Sequence, residues 1–234
     1  MASGKGLLLD SIGRFFLTEA SVTSVEPLGE RFLSVALSGT ALRGADWTPG
    51  DKIQVLLPGR DVRTFTPVRW DAAGKTELLV YLHGGATPAI RWARAIAAGD
   101  AVRFIGPQRS VRVPDGRPAV LYGDESSFGV ARALAGSRPF GALVCVFEVS
   151  SRADAVPVLE RLGLDAAATE RAGSDHHGAI VDRLRSELAA RPGAALVMTG
   201  CATSIQAVRG LLRAGGPRLE ATKVYWAPGK AGLD

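Results

Sequence analysis

The sequence has little cysteine, two residues in 234, and that scarcity excludes a disulfide-stapled scaffold. Cys145 and Cys201 stand far apart with no Cys-x-x-Cys spacing, which fits a reducing compartment. No stretch reaches the roughly 18 consecutive apolar residues that a membrane-spanning helix needs. The apolar patch near the N-terminus is interrupted by Asp10 and Arg14, too broken for a secretory leader. The expectation is therefore a cytoplasmic protein with no membrane partner. There is also no run of five or six like charges: the formal charge of +5 is scattered along the chain. Without a basic stripe or a recognised module, nucleic acid is excluded as a partner. The Gly-x-Gly-x-x-Gly fingerprint of dinucleotide-binding folds is missing as well. What the modest positive balance does suit is an anionic small molecule.

What is present is an ordinary globular composition, 47% hydrophobic, over a length that allows one or two domains. The first hundred residues alternate with a period near two. Short apolar runs at 22–25, 31–37, 53–57, 62–68 and 78–82 are punctuated by Pro49-Gly50-Asp51, Pro58-Gly59 and Ala73-Gly74, a pattern of antiparallel strands in a sandwich or barrel. One helix is expected over 89–98, with Thr87 as N-cap, Pro88 at the first helical position and Gly99 at its end. The second half alternates strands (119–122, 143–149, 195–199, 222–226) with helices (127–135, 156–162, 179–190, 204–214), which implies a parallel sheet covered on both faces. The turn-rich segment Pro114-Asp115-Gly116-Arg117-Pro118 separates the halves, giving a β domain over 14–113 and an α/β domain over 118–234. The stretch 164–177 carries little periodicity and reads as a mobile loop.

Two segments carry candidate chemistry. On a strand, Arg63 and Phe65 share one face while Thr64 and Thr66 share the other. An aromatic ring beside a guanidinium and a hydroxyl suits a flavin, with the ring packing, the Arg gripping phosphate and Thr66 near the ring edge. By composition alone an ordinary strand is the better reading. The segment His83-Gly84-Gly85-Ala86-Thr87-Pro88-Ala89 is a strand end, a Gly-rich turn and a helix start, which suits a pyrophosphate through free backbone N–H groups. A plain strand-to-helix turn explains it equally simply.

Taken together, these pieces resemble the siderophore-interacting protein branch of the ferredoxin reductases, which contains FAD-dependent ferric-siderophore reductases. Arg63-Thr64-Phe65-Thr66 is similar to the family's Arg-x-Tyr-Ser/Thr flavin signature. The longer string from Arg63 to Asp71, the His83-Gly84 turn with Trp92, Gly106-Pro107, Tyr122-Gly123-Asp124-Glu125-Ser126 and Tyr225-Trp226 extend the likeness from Thr18 to Gly229. The resemblance implies an N-terminal antiparallel FAD-binding β-barrel followed by a small parallel α/β nucleotide-binding domain. It implies FAD held by Arg63, Phe65, Thr66, Pro67 and Val68 on the strand and by His83, Gly84, Gly85, Ala86, Thr87, Pro88 and Ala89 at the turn. Trp226 either covers the flavin face or packs in the core. No residue is expected to act as a covalent or acid–base catalyst, since Thr66 only neighbours the reactive edge.

The same resemblance implies an NADPH or NADH donor approaching Gly123, Asp124, Glu125 and Ser126 after the first strand of the α/β domain. Glu148, Ser150 and Arg152 would meet its adenosine half, with Gly200 and Cys201 close by. Ser150 and Arg152 favour a 2′-phosphate and Glu148 a bare ribose, so the choice of nicotinamide stays open. The expected partner is a ferric siderophore or a similar anionic iron chelate. Several positions depart from the branch: Phe65 replaces a Tyr, Gln54 stands where a Lys is common, and Ala227 where an Arg often follows Tyr-Trp. Lys52, Arg69 and Lys223 are the candidates to compensate for the lost basic residues. A flavin or quinone reductase with another acceptor, and a non-catalytic binding module, are the alternatives. Cys201 reads as a small packed thiol rather than a nucleophile. His176-His177 reads as part of an exposed loop, with no third and fourth ligand for a metal in view.

Overall fold

A computed structural model describes residues 17–59, 61–172, 175–212 and 219–230. Residues 14–16 of the expected first domain, residues 173–174 and 213–214, and the last four residues lie outside the described set. The chain divides into two compact units, Met1–Ser110 and Val111–Asp234.

The first unit is an antiparallel sheet of seven strands: β1 (Thr18–Gly29), β2 (Phe32–Ser38), β3 (Lys52–Leu56), β4 (Val62–Phe65), β5 (Pro67–Trp70), β6 (Lys75–Tyr81) and β7 (Ala101–Gln108). Their order is β4-β3-β7-β1-β2-β6-β5. The two outermost strands, β4 and β5, are consecutive in the chain and separated by Thr66 alone, so the sheet must curl to bring its edges together. That is the flavin-type barrel expected, with its seam at Thr66 and no hydrogen-bonded ladder between β4 and β5. The expected single strand over 62–68 is therefore two. Pro67 explains the break: it lacks an N–H for the ladder and is tolerated as the first residue of an edge strand. The strand β7 went unread in the sequence although it alternates cleanly, with Val102 and Phe104 buried and Ala101 and Arg103 exposed. Ile53, Val55, Leu78, Val35 and Phe104 are buried at the centre of the barrel core, and Phe65, Trp70 and Trp92 pack against it.

Helix α1 (Pro88–Ala95) closes over that core through Ile90 and Ala93. The Thr87 Oγ1 accepts from the Ile90 N–H at 3.4 Å, and Pro88 occupies the first turn, where its missing N–H costs nothing. The helix stops at Ala95, three residues short of the expected end.

The second unit is a five-stranded parallel sheet with order β10-β9-β8-β11-β12: β8 (Ala119–Gly123), β9 (Leu143–Val149), β10 (Ala166–Glu170), β11 (Ala195–Cys201) and β12 (Leu219–Trp226). Renumbered within the unit this is 3-2-1-4-5, the doubly wound order, in which the chain reverses direction across the sheet between β8 and β11. Every residue of β8, β9 and β11 is buried, as strands covered on both faces must be. The connecting helices are α2 (Phe128–Gly136), α3 (Arg152–Arg161), α4 (His176–Ala189) and α5 (Ala202–Leu212). The strand β10 corrects the expectation of a mobile loop over 164–177. Its sequence, Ala-Ala-Ala-Thr-Glu, has low β propensity, yet it pairs in register with β9 from Ala166↔Cys145 to Glu170↔Val149. Pairing with an already buried strand overrides local preference. Among the described residues, no helix is long and apolar enough to cross a membrane.

Candidate functional site

In the first unit, Arg63 and Phe65 lie on β4 opposite Val55 and Ile53 of β3. Directly opposed residues of an antiparallel pair project to the same side, so both share the face of the barrel core. Phe65 is half-buried, its ring 5.8 Å from that of Trp92 on α1 at a tilt of 44°. The Arg63 guanidinium, 28% exposed, donates one bond to the Val62 carbonyl at 2.8 Å and stands 3.8 Å from Asp61. A guanidinium carries five N–H donors, so these contacts leave donors for an anion. Thr66 at the seam is half-buried, whereas Pro67 and Val68 are buried. The turn from His83 to Ala86 is exposed, and a side chain added at Gly84 or Gly85 would meet nothing within 4 Å. Gly85 has φ of +98°, a conformation that L side chains rarely adopt. Arg91 Nη1 binds the Ala86 carbonyl at 2.6 Å and His83 Nδ1 contacts the Gly84 carbonyl at 3.0 Å, which shape the turn while leaving its outer side open. This unit therefore holds an open Gly-rich turn at a capped helix start and a half-exposed guanidinium on β4, a donor set that fits a phosphate ester.

In the second unit the residues after β8 are drawn inward. The Asp124 carboxylate accepts from the Ser126 N–H (2.9 Å) and Ser126 hydroxyl at Oδ1, and from the Cys201 N–H (2.9 Å) and Trp226 Nε1 (2.8 Å) at Oδ2. It thereby ties together the carboxyl ends of β8, β11 and β12. Burial raises its pKa above the usual carboxylate range, against the pull of the Ser126 and Trp226 donors. Two glycines make this closure possible. A Cβ at Gly123 would stand 2.5 Å from Ser127, and one at Gly200, where φ is +106°, would stand 2.6 Å from the Asp124 carboxylate. Trp226, expected at the flavin face or in the core, is 40% exposed and anchored to Asp124. Cys201 is buried with Sγ 3.2 Å from the Thr203 hydroxyl, a packed thiol as the sequence indicates.

Glu125, also expected in the nucleotide loop, is buried in its own pair. Its Oε1 accepts from the Ser150 N–H (2.5 Å) and hydroxyl (2.7 Å), and its Oε2 from Arg171 Nη2 (2.5 Å). Burial alone would raise the Glu125 pKa, but the Ser150 bonds and the Arg171 charge outweigh it and hold it below the usual carboxylate range. Burial likewise works against the Arg171 charge, and Glu125, Glu148 and Asp124 reverse that effect and raise its pKa. The Ser150 hydroxyl is thus engaged within the protein, and Arg152 Nη1 donates to the Ala168 carbonyl. Of the residues expected to meet the nucleotide, Ser126, Ser150 and Arg152 are exposed.

Glu148, at the end of β9, is 1% exposed. The His176 and His177 Nε2 atoms lie 3.6 and 3.5 Å from its Oε2, and Arg171 Nη1 lies 3.6 Å from its Oε1. This corrects the reading of His176-His177 as an exposed loop without further ligands: both begin α4, are half-buried, and have Glu148 as a third donor. The sequence hides the cluster because 28 residues separate Glu148 from His176. Arg171, likewise, fell in the stretch read as a loop. Of the proposed chelate-binding bases, Arg69 on β5 donates Nε to Glu77 at 2.7 Å, Lys52 is half-buried on β3, and Lys223 is half-buried on β12 in the other unit.

The barrel with a Gly-rich turn and the doubly wound sheet after it define the ferredoxin-reductase-like fold. Residues 60–111 match the siderophore-interacting FAD-binding domain. The fold is similar to that of a siderophore utilization protein from T. fusca, with 22% identity over 93% of this chain and 95% of that one and a TM-score of 0.72. A siderophore-interacting protein from Aeromonas hydrophila is similar at 20% identity over 92% and 93% of the two chains, with a TM-score of 0.70. The ferredoxin-NADP+ reductase of Plasmodium falciparum is similar at 9% identity over 90% and 96%, with a TM-score of 0.71. No curated protein matches the sequence.

Proposed function

We propose that the protein is an FAD-dependent oxidoreductase that takes a hydride from NADPH or NADH and passes single electrons to ferric iron in an anionic siderophore chelate. The observation that carries this reading is the coincidence of the family segment, residues 60–111, with the two elements whose geometry suits a dinucleotide flavin. Arg63 and the 83–89 turn are the groups that would hold the FAD phosphates, Phe65 the group that would pack on its ring, and Thr66 the group nearest its edge. A bound flavin supplies the conversion of one two-electron donation into two one-electron reductions, so one nicotinamide serves two ferric ions. Such transfer requires proximity and an electrostatic bias rather than a nucleophile or an acid–base pair.

The net charge of +5 would steer an anionic chelate towards the protein. Lys52, Arg69 and Lys223 are the residues proposed to receive it, with Arg69 already neutralised in part by Glu77. That neutralisation favours a second reading, in which the acceptor is a flavin, a quinone or another small oxidant. We place the protein in the cytoplasm, where its two free cysteines would stay reduced. The test is anaerobic. Protein reduced with NADPH is mixed with catecholate, hydroxamate or citrate complexes of ferric iron, with ferrous iron trapped as it forms. The expected result is reoxidation of the bound flavin at a rate that falls as ionic strength rises. Reoxidation no faster than by free reduced FAD would assign the acceptor to the second reading.

A further inference from the structure

The second unit contains a cluster that the flavin reading does not use. Glu148 is a buried carboxylate with no hydrogen bond to either oxygen, and the buried Nε2 of His177 has none either. Leaving such groups buried and unpaired is costly, and more so for a charge than for a neutral polar group. The neighbours do not relieve this. Arg171 stands 3.6 Å away and its short bond goes to Glu125. The three carboxylates gathered at this end of the sheet, Asp124, Glu125 and Glu148, all act on the guanidinium of Arg171. Asp124 and Glu125 are each satisfied by several donors, so Glu148 is the one left over.

The distances have a simple interpretation. At 3.5 and 3.6 Å the two imidazole nitrogens are too far from Glu148 Oε2 for hydrogen bonds. Two donor atoms bound to one tetrahedral ion at about 2.0–2.2 Å stand about 3.3–3.5 Å apart. The observed separations therefore fit a shared ion with little movement of the backbone. Adjacent histidines can converge here because they open α4, and their rings stand with centroids 3.9 Å apart at a tilt of 40°. Arg171, which approaches the other oxygen of Glu148 and anchors Glu125, holds the carboxylate in place as an outer partner.

We propose that His176 Nε2, His177 Nε2 and Glu148 Oε2 form a binding site for a divalent first-row transition metal ion. Two imidazoles and one carboxylate match zinc, cobalt and ferrous iron and are too soft a set for magnesium or calcium. The His176 and His177 side chains are 19% and 27% exposed, so the ion has a path in and solvent completes its coordination. The site lies in the α/β unit, outside the 60–111 segment, and stands or falls independently of the flavin.

The test uses untagged full-length protein freed of metal with a chelator. Zn²⁺ uptake is counted by equilibrium dialysis, and Co²⁺ is followed by its visible difference spectrum at wavelengths beyond flavin absorption. The expected result is about one equivalent bound, with the intense bands of a four- or five-coordinate N/O site. His176→Ala and His177→Ala should each weaken binding at least about tenfold, and Mg²⁺ should not compete. Asp175→Ala, one residue before the cluster, should bind as the wild type does. His177→Gln keeps the size of the side chain and guards against a folding defect, which circular dichroism would reveal. Binding that survives the His176→Ala/His177→Ala double variant, or the absence of a saturable equivalent in the wild type, would overturn the proposal.

Discussion

Removing Arg171 provides the sharpest test of how the second unit is held together. Its guanidinium donates to Glu125 at 2.5 Å and lies 3.6 Å from Glu148, and both carboxylates are at least 96% buried. Arg171→Met keeps the stem and removes the charge. Breaking a buried ion pair by removing one partner costs about 3–5 kcal/mol. Two features place this case at the low end: Arg171 is 25% exposed, and the two Ser150 bonds to Glu125 survive. A loss near 3 kcal/mol corresponds to a Tm lower by roughly 10 °C.

The pH dependence gives a sign as well as a size. In the wild type the folded pKa of Glu125 lies below its unfolded value, so its contribution is fully present above the unfolded pKa of about 4.3. That contribution is lost as pH falls through the folded pKa. In the variant the two Ser150 bonds still oppose burial but the Arg171 charge no longer does, so the folded pKa should rise towards the unfolded value. Acidification from pH 6 towards pH 4 should then destabilise the variant less than it destabilises the wild type. Urea unfolding at intervals of half a pH unit, with chelator present, measures both slopes. Parallel slopes for the two proteins would refute the assignment of Arg171 as the group that keeps Glu125 ionised.

Three further outcomes follow from other parts of the molecule. Arg63→Ala should bind FAD about ten- to a hundredfold more weakly, the equivalent of about 1.5–3 kcal/mol for a lost charge-assisted contact, while circular dichroism stays unchanged. Flavin retention on gel filtration at wild-type affinity would remove Arg63 from the site. Gly200→Ala should destabilise the second unit by about 2 kcal/mol or more, because it combines a φ of +106° with a Cβ 2.6 Å from Asp124; denaturant midpoints measure it, and a neutral result would mean that the β8–β11 closure is looser than described. Thr87→Ala should cost about 1 kcal/mol through the lost cap on α1, and faster amide exchange at Ile90 would be its local mark, with unchanged exchange speaking against the cap.

Local pattern alone determined a good deal here. Period-two runs broken by Pro and Gly specified the strands of the barrel, and fully apolar runs such as 143–149 specified the buried parallel strands, because each strand reports its own burial. The cap at Thr87-Pro88 was legible for the same reason, since a helix start is made by neighbours in sequence. The segment over 60–111, which matches the siderophore-interacting FAD-binding domain, was legible as a resemblance resting on Arg63, Phe65 and the Gly84-Gly85 turn. What tertiary structure alone decided are the contacts that carry charge. Ala166–Glu170 becomes a strand only because β9 is there to pair with it. Asp124 closes on Cys201 and Trp226, respectively 77 and 102 residues away, and Glu125 meets Arg171 across 46. His176 and His177 gain a third donor only when β9 and α4 bring Glu148 beside them. A buried carboxylate takes its protonation and its partners from whatever the fold packs around it, and no pattern of neighbouring residues encodes those.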